Sequence, residues 1–428
     1  MGLGVILLLL SAGCTSFEPA PMTAEALLSK AQTQTSGALE VSVVWLSDRE
    51  VESSFGLPLS SAGIQPIWIR VTNRGEESCW LLPVVTDPHY FSAAEVLQKV
   101  KSLGYDAARK NRIKAVFLEE EMIEDFIPPG DMRQGFIYAT RQPGMRQVPV
   151  MLLTSGRLDR FLFLLGGKTL RSDHRWVNFE GLYHPEEQVS LTAETLYESI
   201  RALPALTGNA HGTATGDPLN LVLIGSREEV FSGLIGAGWN ETEALNPASA
   251  VHTVSALIAG TPYRFSPISP LYVFGRRQDV AFQKIRKNVQ TRLHMRLWLT
   301  PCIYEGRPLW LGQISRDIGV RMTTKSPSLT THLIDPDVDG DRWYLIQELI
   351  RQQCLARIGF VEGGPQFTPL NPGRNLTGDP YYTDGLRAVL LLSGEPMAVD
   401  EIDFWPWKFP PRGGLSQSGD YLRVGREE

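Results

Sequence analysis

The stretch THLIDPDVDGDR, residues 331–342, sets one histidine, four aspartates and an arginine close together. An imidazole beside several carboxylates can ligate a hard or borderline divalent cation. His332, Asp335 and Asp337 are therefore candidate metal ligands, and a divalent cation is the cofactor they would imply. The same residues could instead form a His–Asp acid/base pair, with Arg342 holding an anion. Asp335, Asp337, Asp339 and Gly340 also copy the first half of an EF-hand loop, but Ile346 stands at the twelfth position, where that loop needs a bidentate glutamate. A structural reading competes with these. Asp335-Pro336 is a turn signal, and Asp339 or Asp341 can cap a helix whose dipole favours acids in its first turn. That reading leaves His332 and Arg342 unexplained.

The other motifs with chemical meaning fail on spacing. LLGGKTL ends like a phosphate-binding loop, but Leu162 occupies the position of its first glycine. G-x-S-x-G, H-E-x-x-H and C-x-x-C do not occur. Gly225-Ser226 joins an apolar run to a helix start, where free N–H groups can hold a phosphate. A net charge of -6 supplies no basic footprint for nucleic acid. Cys79, Cys302 and Cys354 follow no zinc spacing, and at most two of them can pair. Cys354 falls on the apolar side of a helical pattern and reads as a buried thiol.

The N-terminal MGLGVILLLLSAGC has an apolar run too short to span a bilayer, followed by small residues and Cys14. SAGC resembles the lipobox of bacterial lipoproteins. That resemblance implies cleavage after residue 13, lipidation of Cys14, and anchorage by acyl chains that contribute ~0.8 kcal/mol per buried methylene. Thr15 follows the cysteine where an inner-membrane retention signal would have Asp, so the expected location is the outer membrane, facing the periplasm.

The elements that must position these residues follow from composition and periodicity. With 428 residues, 43% hydrophobic and 21% charged, the chain should fold into two or three domains. Residues 14–37 read as a tether. From Leu39 the period is two: Leu39, Val41, Val43 and Trp45 share a face, as do Ile67, Ile69 and Val71. Short strands, extending to WVNFEGLY, and turns such as Pro128-Pro129-Gly130 predict a β-sandwich over 38–190. A helical insertion interrupts it at 92–126, opened by a capping box at Ser92 and Glu95, with a second helix through KAVFLEEEMIEDF. Residues 191–218 read as a linker. An α/β domain with a mixed sheet follows over 219–395, and 396–428 is a Pro-, Gly- and Trp-rich tail too broken for regular structure. The overall class is α+β.

The segment from about Leu219 to Ser393 resembles the C-terminal domain of the LssY family of bacterial envelope proteins. LNLVLIGSREEV, PISPLYVFGRRQDVAFQK, RLHMRLWLTP, RPLWLGQISRDIGV, THLIDPDVDGDRWYLIQEL and YYTDGLRAVLLLS carry the likeness. The resemblance implies an envelope setting without a defined reaction, and a family pattern of H-x-x-D-P-x-x-D at His332, Asp335, Pro336 and Asp339. Arg277-Gln278-Asp279 and Ser315-Arg316-Asp317 look equally typical of it. These fall at predicted strand ends, where α/β folds place ligands. The expected site is a shared pocket of Arg277, Asp279, His294, Asp317, His332, Asp335 and Asp339. Two functions are compatible with it: a non-catalytic envelope component binding a protein partner or an anionic or lipid ligand, and a metal-assisted hydrolase of phosphoesters or lipids.

Overall fold

The computed structural model describes residues 18–103, 108–166, 170–244, 264–285, 291–322 and 330–410; the side chains of 108–112, 320–322 and 330–332 lie outside the description. The chain divides into two compact units, one of residues 1–143 and 148–167, the other of 144–147 and 168–428.

The first unit contains α1 (Ala24–Leu28), β1 (Gln32–Ser36), β2 (Leu39–Trp45), α2 (Asp48–Phe55), β3 (Ile64–Asn73), β4 (Cys79–Leu81), α3 (Pro83–Thr86), α4 (Ala93–Lys101), α5 (Ala108–Glu120), β5 (Phe126–Ile127), β6 (Met132–Thr140), β7 (Met145–Thr154) from Val148 onward, and β8 (Arg157–Gly166). Two four-stranded sheets, ordered β1-β2-β3-β6 and β5-β4-β7-β8, face each other. The alternation read from sequence is realised between them: Val41, Val43, Ile67, Ile69 and Val71 pack against Val150, Leu152, Phe161 and Phe163. The intervening residues are buried too. Val44, Trp68, Phe136 and Tyr138 meet Val51 and Phe55 of α2 and Val96 and Val100 of α4. Ser92 and Glu95 form the expected capping box. The second predicted helix ends earlier than its sequence pattern, because Phe126–Ile127 pairs with β4 as a strand.

The second unit contains β9 (Val189–Leu191), α6 (Ala193–Arg201), β10 (Leu206–Gly208), β11 (Thr215–Pro218), β12 (Leu221–Ile224), α7 (Arg227–Gly236), β13 (Asn240–Glu241), β14 (Tyr272–Val273), β15 (Arg276–Arg277), β16 (Val280–Ile285), β17 (Arg292–Tyr304), β18 (Arg307–Met322), β19 (Thr330–Ile334), α8 (Val338–Arg351), β20 (Leu355–Glu362), β21 (Gly373–Arg374), β22 (Pro380–Tyr381), β23 (Leu386–Leu392) and β24 (Asp403–Phe404). Its main sheet runs β13-β16-β17-β18-β12-β23-β20-β24, with β9 beside β17 and β19 beside β18. The sheet is mixed: β12 lies parallel to β23 and antiparallel to β18. The β17–β18 hairpin turns at Glu305-Gly306, both at positive φ, as the Asn-Gly type of tight turn requires. An irregularity between Leu299 and Ile303 then sets the register that puts His294 opposite Ser315.

Three expectations change here. Residues 168–190, assigned to the sandwich, belong to the second unit, where Asp173–Trp176 is a short 3-10 turn and not the start of a strand. The stretch 191–218 is no free linker: Leu196 and Ile200 of α6 are buried in the main core, and β10 and β11 form a sheet with β14 and β15. In the tail, Phe404 pairs with Ile358 and Trp405 is buried beside Gly359. A Cβ at Gly359 would come within 3.0 Å of Trp405, so the missing side chain makes room for the indole.

Candidate functional site

RLHMRLW alternates polar and apolar residues along β17. Leu293, Met295 and Leu297 bury one face; Arg292, His294 and Arg296 share the other, which turns apolar at Trp298. Beside them β18 contributes Gln313, Ser315 and Asp317 at the same two-residue spacing, and β16 contributes Gln283; all are buried. Burying so many polar groups is costly unless each finds a partner. Arg292 Nε donates to Asp317 Oδ2 at 3.0 Å and Nη1 to Gln283 Oε1 at 2.7 Å. Arg296 Nη1 donates to Gln313 Oε1 at 2.7 Å, and its Nε and Nη2 both donate to the Ser269 carbonyl.

These contacts fix the protonation of His294. A guanidinium can only donate, so Arg296 Nη1, 3.2 Å from His294 Nδ1, requires Nδ1 to accept. The proton then resides on Nε2, which donates to Asp317 Oδ1 at 2.9 Å. Burial pulls Arg296 down to about 10, and it remains cationic at neutral pH.

A pocket of about 150 Å³ opens over this polar face. Arg292, His294, Arg296 and Asp317 form its floor, Asp217 and Asn375 a side, and Ile268, Leu271, Ile334 and Leu376 apolar walls. Arg292 is 4% exposed. Its Nε and Nη1 are engaged as described, whereas its Nη2 makes no hydrogen bond among the described residues. Asp217 is buried, and that burial pushes its carboxyl above the usual range, against the pull of Arg296.

The pocket expected from sequence is divided among several places. His294 and Asp317 meet as foreseen. Arg277 donates to Asp173 at 2.6 Å. Asp279 is gripped bidentately by Arg276, at 2.9 and 3.0 Å, and accepts from the Leu299 N–H. The acids of 335–341 serve the start of α8. Asp335 accepts from the Asp337 N–H, and Asp337, not Asp339 or Asp341, is the N-cap, accepting from the Gly340 N–H at 3.1 Å. Asp339 accepts from Thr383 and the Asp384 N–H, while burial raises its carboxyl. Asp341 pairs with Arg316 at 2.9 Å, and burial pushes it up to about 7.

Arg342 is no external anion holder. It is wholly buried, bonded to both oxygens of Asp384, and stacked over Phe360. His332 lies in β19 opposite Val320, and its side chain is outside the described residues, as is Cys14. Among the described residues, no group of three or more His, Cys, Asp and Glu side chains is arranged to hold a metal ion. Ser226, at the possible phosphate turn, is closed by a capping box with Glu229. Cys79, Cys302 and Cys354 are unbridged, and Cys354 is half-buried where full burial was expected.

Sequence reasoning missed Arg292, Arg296, Asp217 and Asn375. The first two carried a signal in the strand alternation with His294. Asp217 and Asn375 carried none, since only the tertiary fold brings them to β17.

No curated protein matches the chain. Residues 200–386 match the family model described as the LssY C-terminus, a span that includes Asp217, the three polar residues of β17, Asp317 and Asn375. The second unit therefore carries an LssY C-terminal domain, and the pocket lies within it.

Proposed function

We propose that this chain is a lipid-anchored component of the bacterial cell envelope whose LssY C-terminal domain binds a small anion without transforming it. The observation supporting this is Arg292, a buried guanidinium lining the pocket with an Nη2 that lacks a hydrogen-bond partner among the described residues. A guanidinium nitrogen that reaches the pocket without a protein acceptor is free to donate to an anion there, and a charge-assisted bond of that kind is a strong one. The floor is poorly suited to catalysis. His294 uses both ring nitrogens, so it offers no lone pair as a base, and Asp317 is bonded to two cationic or N–H donors. The metal-assisted alternative loses support because Asp335, Asp337 and Asp339 are occupied at the start of α8.

The envelope setting rests on SAGC before Thr15 and on the family's character; the proposed location is the outer membrane, periplasmic side, where an envelope protein partner is compatible with the same role. Mass spectrometry of the mature N-terminus should find a diacylglyceryl thioether on Cys14, and an unmodified Cys14 contradicts the anchor. Thermal melting tests the site. Butyrate and phosphate should raise the melting temperature, while magnesium and zinc should not. A response to the metals alone would restore the hydrolase reading, and no response to either anion would remove the present one.

A further inference from the structure

We infer that the pocket takes a short-chain monoanion of the carboxylate class together with one proton, which goes to Asp217; this rests on the anion-binding reading above. The size comes from the cavity. About 150 Å³ is the volume of an engineered cavity known to accept benzene, so the buried part of the ligand has about six heavy atoms. The stem comes from the walls. Ile268, Leu271, Ile334 and Leu376 offer hydrocarbon above a charged floor, which suits a head of one charge on a few carbons. The head comes from Arg292 Nη2.

The proton follows from charge balance among the pocket's lining residues. Arg292 and Arg296 contribute two positive charges, and Asp217 and Asp317 two negative ones. His294 is neutral because Arg296 donates to its Nδ1. Among the described lining residues these charges balance, so an entering anion leaves one negative charge in excess, and a like charge nearby favours protonation of a carboxylate. Asp317 is the poor acceptor of that proton, since Arg292 and His294 both donate to it. Asp217 faces Arg296 and His294 from β17, Asn375 from the loop before β22, and Tyr381 from β22; its side-chain bond is to the neutral amide of Asn375. Its burial already favours the protonated form.

The experiment is calorimetric titration of butyrate into the full chain, in two cationic buffers of different ionisation enthalpy, across about pH 6 to 9. Proton uptake should approach one per butyrate at the upper end, with affinity falling about tenfold per pH unit there. Asp217→Asn should bind butyrate with no uptake and no such slope. Dodecanoate, the same head on a lipid chain, separates two sources: binding of dodecanoate alone with the same uptake assigns the anion to a lipid. Butyrate binding without proton uptake, or uptake retained in Asp217→Asn, overturns the proton assignment and leaves the anion site standing. No binding of either acid at any pH overturns both.

Discussion

In the first unit, β2 and β3 bury hydrocarbon on both faces, and pairs such as Arg74–Glu40 at 2.9 Å and Arg141–Asp48 at 2.6 Å leave both partners partly exposed. In the second, β17 and β18 bury hydrocarbon on one face and a network of Arg292, His294, Arg296, Gln313, Ser315 and Asp317 on the other. The first arrangement serves stability with little demand on geometry. The second is unfavourable unless nearly every donor and acceptor is matched, and the unmatched donor of Arg292 sits at the pocket. Where a fold carries an expensive buried network, the incomplete part of that network is the place to look for a ligand.

The largest expected effect belongs to the first unit. Phe163→Ala empties the middle of the sandwich core and should cost ~3–5 kcal/mol in urea unfolding, while butyrate affinity stays within about twofold. A large loss of affinity would show that the contrast between the regions is wrong. Next comes a matched pair of charge deletions. Asp317→Asn removes a buried acceptor shared by Arg292 and His294 and should cost about 2–3 kcal/mol. Glu40→Gln, at an exposed pair, should cost less than ~1 kcal/mol. Equal losses would mean that burial does not set the strength of these pairs.

A separate effect is in pH dependence. Asp341 titrates near 7 when folded and near 4 when unfolded. Between these values the native state holds more protons than the unfolded one, so its contribution is full below about pH 4 and is lost as pH rises through about 7. Relative to Asp341→Asn, the wild type should lose up to ~1.4 kcal/mol per pH unit in that window. Glu50 of the first unit behaves oppositely. Its carboxyl is lowered to about 2, chiefly by the Lys30 hydrogen bond, so its contribution is present above the ordinary carboxylate range and lost as pH falls through about 2. Unfolding followed by circular dichroism across pH checks both signs.

Much of the scaffold was legible in the sequence, because strands and caps are local. The alternation of Leu39, Val41 and Val43, the boxes at Ser92 and Ser226, and the mixed α/β pattern of the second unit each depend on residues within one or two turns. The site was legible only in part. His294 and Asp317 could be named, but their meeting depends on the irregularity after Leu299 and on the register of β17 with β18. The acidic run around Asp335–Asp341 looked the most chemical and turned out to be used mainly by the helix it opens, with Asp337 as the cap. Asp217, in a Gly- and Thr-rich stretch that read as a connector, reaches the pocket because β11 is paired with β10.

The most direct test of the account compares butyrate affinity in the wild type, Arg292→Gln and Arg292→Lys by calorimetry, with circular dichroism confirming that each is folded. Loss of a charge-assisted bond worth ~1.5–3 kcal/mol predicts about 10- to 100-fold weaker binding for Arg292→Gln, with Arg292→Lys in between. Unchanged affinity in a folded Arg292→Gln protein would contradict the claim that this guanidinium holds the ligand.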